Sequence, residues 1–214
     1  MVYNFTFDTL VTTILQYLER NDGQITALVP TFIMLAQRRI DKDCKNLGLI
    51  QYVGGQFVAG ESVLLKPSDW RNTVTFNVGG GLDNNVYTQL YPRTYEFCRQ
   101  YWPDDNQTGF PKYYCDYSFN SWLIVPTPQF TYNFQIAYYQ TVSPISPDQQ
   151  TNWFTQYAPE LILYASLLES MLYLKNDERT EYWRGLYTES LGAFNNEDMA
   201  RLQDRTSQIK PGVS

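Results

Sequence analysis

The sequence predicts an α+β fold, with a helical bundle core formed by N- and C-terminal helices and a central β-rich insertion. Apolar residues recur at helical spacing near the start of the chain and again near its end. Between them lie short aromatic and β-branched stretches separated by Gly, Asn, Asp or Pro, which are typical of strands and turns. We predict N-terminal core helices at 1–46, a β-rich insertion at 47–140, a C-terminal helical hairpin at 141–194 and a polar C-terminal tail at 195–214.

The N-terminal segment predicts two helices. In the first, Thr6 is placed to cap the helix and Asp8 complements its dipole, ahead of one apolar face formed by Leu10, Val11, Ile14, Leu15 and Leu18. In the second, Pro30 fits the first turn after a short helical lead-in, where its missing N–H costs nothing. The apolar face of that helix comprises Phe32, Ile33, Ala36, Ile40, Cys44 and Leu47.

The middle of the chain predicts strands and one short helix. Stretches such as NTVTFNVGGG, SWLIVPTP and TYNFQIAYYQ favour strands because aromatic and β-branched residues pack well on a pleated surface. The segment PRTYEFCRQYWPDD, bounded by Pro92 and Pro103, indicates a short helix. The glycines from Gly79 to Gly81 predict a hairpin tip rather than a phosphate-binding loop, since no Lys-Ser/Thr or GxGxxG pattern follows them.

The C-terminal segment predicts a helical hairpin. Pro159 fits a first-turn position, and Glu160 beside it complements the helix dipole. The helix that follows is apolar nearly all round, which indicates burial from more than one side. We expect the core of the hairpin to contain Leu163, Leu167, Leu168, Met171, Trp183, Leu186 and Tyr187. Beyond Phe194 the chain is polar, and we expect an unstructured tail that becomes ordered only on binding a partner.

Composition excludes several classes of protein. The 214 residues include no histidine, so Ser-His and Cys-His nucleophile systems and His-based metal sites are excluded. The net charge of −6 gives no overall attraction to nucleic acid. No apolar run is long enough to span a membrane, and no secretory signal is recognised, so we expect a protein without membrane contact. The three cysteines, Cys44, Cys98 and Cys115, are predicted to be reduced and buried.

No catalytic, cofactor or metal site is predicted. The carboxylate pairs Asp104–Asp105 and Glu178–Glu181 suit glycosidase chemistry in principle, but polar segments of this kind are usually solvated surface. The basic run Arg38, Arg39, Lys42 and Lys45 is interleaved with Asp41 and Asp43 and is predicted to be an exposed, salt-bridged helix face. A histidine-free carboxylate hydrolase is therefore the weakest hypothesis.

The tyrosine rows leave two interpretations open. Aromatic rings can stack against sugars or bases, and they also stabilise sheets and subunit interfaces. The second interpretation, core and intersubunit packing, is favoured here because aromatic pairs stabilise neighbouring strands. The residues concerned are Tyr113, Tyr114, Tyr117, Tyr138 and Tyr139.

The order of these segments resembles the head–tail adaptor (connector) proteins of tailed bacteriophages, especially those of short-tailed phages. Four stretches carry the resemblance, and together they cover most of the chain from Phe5 to Arg205. They are FDTLVTTILQYLER with LVPTFIMLAQRRIDKDCKNLG; PRTYEFCRQYWPDD with GFPKYYCDYS; SWLIVPTPQFTYNFQIAYYQTVSPIS; and TNWFTQYAPELILYASLLESMLYLKNDERTEYWRGLYTESLGAFNNED. The stretch from Val53 to Tyr91 matches the family least.

The resemblance implies a structural protein of the virion, made in the bacterial host cytoplasm. It implies a ring of twelve copies beneath the portal protein, which extends the DNA channel and docks the tail or nozzle protein. Neighbouring copies would contact one another, and packaged DNA would pass through without sequence-specific binding. Since the C-terminal segment of related adaptors reaches the portal, the positions implied for portal docking are Arg201, Gln203, Arg205, Ile209 and Lys210.

One alternative from another class remains. A phage tail or baseplate component could use the Tyr-rich β region to bind a receptor or a glycan. That hypothesis predicts a solvent-exposed aromatic cleft on a self-sufficient monomer or trimer, whereas the adaptor hypothesis predicts head–tail joints that fail without the protein.

Overall fold

Helices and strands both contribute substantially to the fold, which confirms the α+β class. The computed structural model describes residues 4–19, 22–44, 47–79, 86–175 and 177–207, and it describes only the backbone at 47, 177 and 197–207. The chain divides into two compact units, a helical unit of Met1–Gly48 with Val142–Ser214 and a β-rich unit of Leu49–Thr141. Closure of the terminal helices into a single bundle stays a prediction.

Helix α1 spans Phe7–Leu18 and begins where the sequence predicts. The hydroxyl of Thr6 accepts a hydrogen bond from the Thr9 backbone N–H at 3.2 Å, and the Thr9 hydroxyl accepts one from the Thr6 N–H at 2.8 Å. This reciprocal pair satisfies two amide donors that have no partner within the helix. The residues that α1 buries follow helical spacing: Phe7, Leu10, Ile14 and Leu18.

Helix α2 spans Gly23–Asp43 and is longer than the sequence predicts. Asp22 caps it, since its carboxylate accepts from the Ile25 N–H at 2.9 Å. Pro30 therefore lies inside the helix, and its predicted position in the first turn is wrong. A proline in a helix interior removes one backbone hydrogen bond. Here the apolar stripe starts before the proline and continues beyond it, so burial of that stripe outweighs the lost bond.

The C-terminal part of the helical unit is built around α5. Helix α4 spans Trp153–Tyr157 and α5 spans Pro159–Leu174, with Pro159 in its first turn as predicted. Helix α5 packs against α1, α2 and α4. Two buried serines on α5, Ser166 and Ser170, each donate a hydrogen bond to the carbonyl four residues earlier at 2.7 Å. These bonds satisfy hydroxyls that would otherwise be costly to bury.

Helix α6 spans Asp177–Ser207 and also packs against α5. The segment from 195 onward was expected to be unstructured, and that expectation is wrong as far as Ser207. No proline interrupts the sequence between residues 177 and 207, and good helix formers such as Ala, Arg, Leu and Gln recur near its end. A helix without an apolar stripe can still extend from a packed first half, because each added residue forms one more backbone hydrogen bond.

The described residues of the β-rich unit form ten strands and one helix. Helix α3 spans Tyr95–Tyr101, as the sequence predicts, and Thr94 caps it. The strands are β1 Ile50–Phe57, β2 Val63–Leu65, β3 Trp70–Gly79, β4 Tyr87–Gln89, β5 Tyr91–Pro92, β6 Thr108–Gly109, β7 Tyr113–Ser118, β8 Ser121–Val125, β9 Thr127–Pro128 and β10 Tyr132–Gln140. The predicted hairpin tip at 79–81 lies mostly outside the described residues.

Two four-stranded sheets enclose the core of the β-rich unit. The first has the order β1-β10-β3-β4 and is antiparallel throughout, whereas the second has the order β2-β8-β7-β5. Phe76 and Trp122, from facing sheets, have ring centroids 5.4 Å apart. The buried residues of this core are Phe57, Phe76, Val78, Leu90, Trp122, Ile124, Tyr132, Ile136 and Tyr138.

Candidate docking surfaces

Half-exposed aromatic side chains cluster around α3 and strand β7. The rings of Phe97 and Tyr101, both on α3, stack on each other, with centroids 6.0 Å apart and planes 5° from parallel. Tyr113 of β7 meets both rings edge-on, with centroids 5.3 Å from Phe97 and 5.1 Å from Tyr101. With the exposed side chains of Tyr91, Tyr95 and Tyr117, we call this group the α3 aromatic surface.

Arginines cover part of the α3 aromatic surface. The guanidinium of Arg93 lies over two of its rings, 5.5 Å from the centroid of Phe97 and 5.4 Å from that of Tyr113. Arg99 donates to both carboxylate oxygens of Asp105 at 2.7 Å. These hydrogen bonds raise the pKa of Arg99 above its ordinary value and fix its position. Aromatic residues and arginine are enriched at protein–protein interfaces, so this surface has the composition of a docking site.

The first sheet has two exposed edges. Strand β1 forms one edge, and its Tyr52 side chain is 68% exposed. Strand β4 forms the other edge, where Tyr87 is 49% exposed. Among the described residues, none outside the sheet donates or accepts a backbone hydrogen bond at the outer side of either strand. Sequence pattern does not identify these edges, because the order of strands within a sheet depends on pairings between distant residues.

A charged cleft of about 370 Å³ lies along α2 of the helical unit. Arg39 forms an ion pair with Glu169 of α5 at 2.6 Å, so one residue of the basic run is salt-bridged to a neighbouring helix, whereas Lys45 lies outside the described residues. Within the described part of the chain, Arg38 and Lys42 have no ion-pair partner. The cleft is lined by Leu35, Arg38, Arg39, Lys42, Asp43 and Glu169.

The residues predicted to dock on the portal lie at the end of the chain. Arg201, Gln203 and Arg205 belong to the last turns of α6. Ile209 and Lys210 lie outside the described residues. The role of all five positions stays a prediction.

The residues predicted for the hairpin core lie on α5 and α6. Leu186 is half-buried, whereas the other six are buried: Leu163, Leu167, Leu168, Met171, Trp183 and Tyr187. Tyr187 also connects α6 to the end of α2, since its hydroxyl donates to a carboxylate oxygen of Asp43 at 2.8 Å. Burial and this bond together raise the pKa of Tyr187 above its ordinary value.

The tyrosine rows divide between the core and the surface. Tyr138 is buried, and Tyr114 and Tyr139 are half-buried, so packing accounts for much of their role. Tyr113 and Tyr117 belong to the α3 aromatic surface defined above. Burial therefore supports the packing interpretation for Tyr114, Tyr138 and Tyr139, and the role of Tyr113 and Tyr117 stays a prediction.

Three of the four carboxylates in the predicted pairs, Asp104, Asp105 and Glu181, are engaged by neighbouring groups. Asp105 binds Arg99 as described, and Asp104 accepts from the backbone N–H of Asn106 at 3.0 Å. Glu181 pairs with Arg184 on the exposed side of α6 at 2.7 Å. These carboxylates bind neighbouring groups of a helix or turn. Their geometry gives no support to the hydrolase hypothesis.

All three cysteines are buried, and Cys98 and Cys115 are free thiols. Burial raises the pKa of Cys98 to about 12, and it raises the pKa of Cys115 as well, so neither forms a reactive thiolate readily. Among the described residues, no group of three or more His, Cys, Asp or Glu is placed to hold a metal ion. Within those same residues, no helix is both long and apolar enough to cross a membrane.

Comparison with known proteins identifies the family. The family model described as SU10 adaptor protein matches residues 5–210, which is nearly the whole chain. No curated protein matches the chain. The family match confirms the resemblance to phage head–tail adaptors that the sequence indicates. The chain therefore belongs to the SU10 adaptor protein family.

Proposed function

We propose that this adaptor forms a closed ring of twelve copies beneath the portal, where it extends the DNA channel and docks the tail. Family membership implies a structural, non-enzymatic protein of the virion that contacts other head and tail proteins. The proposal adds the ring, the channel and the individual partners, namely the portal protein, the tail or nozzle protein and neighbouring copies.

The α3 aromatic surface is the observation that carries the proposal. Rings stacked in ordered pairs and covered by arginine form a rigid surface that loses little entropy on binding. Monomeric proteins rarely leave such a group exposed without a partner. A ring repeats each contact at every junction, so interfaces of modest strength add up to a stable collar.

Charge supports passage of DNA through the ring. The chain has a net charge of −6, so a ring of twelve copies would be negatively charged overall, and we propose that its channel wall is too. A negative wall repels phosphates and provides no counterion-release term for binding, so DNA can slide. We assign contact with the portal protein to the arginines near the C-terminal end of α6, Arg201 and Arg205.

The test is electron microscopy of particles from the phage that encodes this chain, grown with the gene disrupted. We expect DNA-filled or leaking heads that lack tails, because the joint between head and tail would be missing. Restoring the gene from a plasmid should restore complete particles. Complete tailed particles that fail only to attach to cells would contradict the proposal and favour receptor or glycan binding through the Tyr-rich region.

A further inference from the structure

The first sheet of the β-rich unit has an edge strand that lacks the features by which proteins usually protect such edges. Strand β1 is eight residues long and contains no proline and no charged residue. Natural sheets protect exposed edges with short strands, lysine, proline or bulges, because an open edge can pair with another chain. None of these devices occurs within β1.

The second sheet of the same unit shows the contrast. Its edge strand β2 has three residues and is followed directly by Lys66 and Pro67. Its other edge strand, β5, has two residues, includes Pro92 and is followed by Arg93. These edges are therefore short and flanked by a proline and a cation. The open character of β1 is a local feature of the first sheet.

We propose that β1 of one copy pairs antiparallel with β4 of the next copy, so that the first sheet continues across each junction of the ring. This inference rests on the proposed function, and it identifies the surfaces that join neighbouring copies. The pairing is head-to-tail, because the two strands lie at opposite edges of the same sheet.

Strand direction supports this pairing. Each neighbouring pair in β1-β10-β3-β4 is antiparallel, so in a sheet of four strands β1 and β4 run in opposite directions. A β4 edge placed beside the β1 edge of an identical copy therefore continues the antiparallel alternation. Strand β4 also contains no proline and no charged residue.

The two edge strands each place a tyrosine on the same face of the sheet. Tyr52 pairs with Ala137, and Tyr87 pairs with Gly79, in the strand register of the first sheet. Since directly paired residues share a face and alternate residues along a strand share a face, Tyr52 and Tyr87 lie on the same face. Across a continued sheet these two tyrosines would form a cross-strand aromatic contact, and Val53 would be covered on the opposite face.

Because β4 is short, we expect the β1–β4 junction between two copies to be stable only within a closed ring. Three paired residues make a weak junction, so an isolated pair of copies would dissociate readily. Closure of a ring makes each further junction intramolecular, and this raises the effective concentration of the edges.

The test is cross-linking in purified phage particles that carry the full-length variant Y52C/Y87C, with a short bismaleimide linker. The two edges of one sheet are separated by three strand spacings, or about 14 Å, so such a linker cannot join them within one copy. The native cysteines are buried and give little background. We expect a ladder of covalent multimers on denaturing gels, and monomers alone from Y52C or Y87C.

Other results would overturn the inference. Covalent dimers from Y52C alone would show two-fold pairing of β1 with itself, and particles that contain Y52C/Y87C without multimers would show that the edges do not meet. Absence of the wild-type chain from purified particles would instead contradict the proposed function.

A second pair of variants gives an independent readout. Val53 on β1 and Val74 on β3, outside the part of β3 that pairs with β4, are exposed to a similar extent, 37% and 42%. Lysine at position 53 should block strand addition, so we expect V53K to yield at least tenfold fewer infectious particles than V74K. The melting temperatures of the two purified variants serve as the folding control. Equal particle yields would contradict the pairing.

Discussion

The contact between Gly55 and Phe134 gives a prediction whose sign follows from the structure. A Cβ atom at position 55 would lie 2.6 Å from Cζ and 2.8 Å from Cε1 of the Phe134 ring. Carbon atoms in contact normally lie about 3.5–4 Å apart, so the ring must move by roughly 1 Å. Phe134 packs on Phe57, with centroids 4.9 Å apart, and this contact restricts where the ring can go.

The adjacent Gly54 provides a matched control. Its Cβ would meet only the Phe134 backbone oxygen, at the ordinary contact distance of 3.6 Å. Both glycines lie in β1, and neither has a positive φ. Replacing either by alanine gains about 0.5–1 kcal/mol from reduced chain entropy and better strand propensity. Since this gain is common to both, the difference between G54A and G55A measures the ring contact.

We expect G55A to be about 1–3 kcal/mol less stable than G54A, the usual cost of overpacking. For a chain of this size each kcal/mol lowers Tm by about 2–4 °C. Urea unfolding of the two full-length variants, followed by tryptophan fluorescence, measures the difference. G55A should cost much less stability in the F134L background than in the wild type, because leucine is smaller than the ring. The comparison is between F134L and G55A/F134L. Equal stability of G54A and G55A would refute the reasoning.

Two further predictions concern polar groups. The Tyr138 hydroxyl donates a hydrogen bond to Asp69 at 2.9 Å. Burial, and to a smaller extent this bond, raises the pKa of Tyr138 from 10.0 to about 12. Its contribution to stability is therefore fully present below pH 10 and is lost as the pH rises toward 12. Between pH 8 and 11 the loss of stability should be about 1.4 kcal/mol smaller in Y138F than in the wild type in urea titrations, because other buried groups titrate alike in both proteins; equal alkaline losses would contradict the assignment. R39Q removes the ion pair with Glu169, whose side chain is 13% exposed, and should cost about 1–2 kcal/mol. R184Q removes the exposed pair with Glu181 and should cost less than about 0.5 kcal/mol in the same urea assay, so equal losses would show that burial of Glu169 does not matter.

Sequence predicted the elements whose ends depend on local chemistry. The start of α1 follows from the Thr6 cap, and the start of α5 follows from Pro159, because both residues act within one helical turn. Helix α3 was found between its two flanking prolines in the same way. Signals of this kind need no knowledge of the rest of the fold.

Elements that depend on distant contacts were not predicted correctly. Local propensity argues against Pro30 inside a helix, yet the stripe from Ile25 to Ile40 crosses it because α2 packs along α5. The position of β1 at a sheet edge follows from its pairing with β10, about eighty residues later. Neither spacing nor composition specifies that pairing, so the open edge was found only in the structure.

The two units differ in where their large apolar side chains lie. In the helical unit, α5 buries residues on nearly every side, and its serines bond within the helix. The β-rich unit has an enclosed core, but it also has the open β1 edge and the α3 aromatic surface. Among the described residues, most of the exposed large apolar side chains belong to this unit. Substitutions in α5 should therefore reduce folding of the subunit, whereas lysine at Val53 of the β1 edge should leave the subunit folded and reduce assembly. A protein whose function is to join others needs both properties, because the exposed surfaces can bind neighbours only if a separate core keeps the unassembled subunit folded.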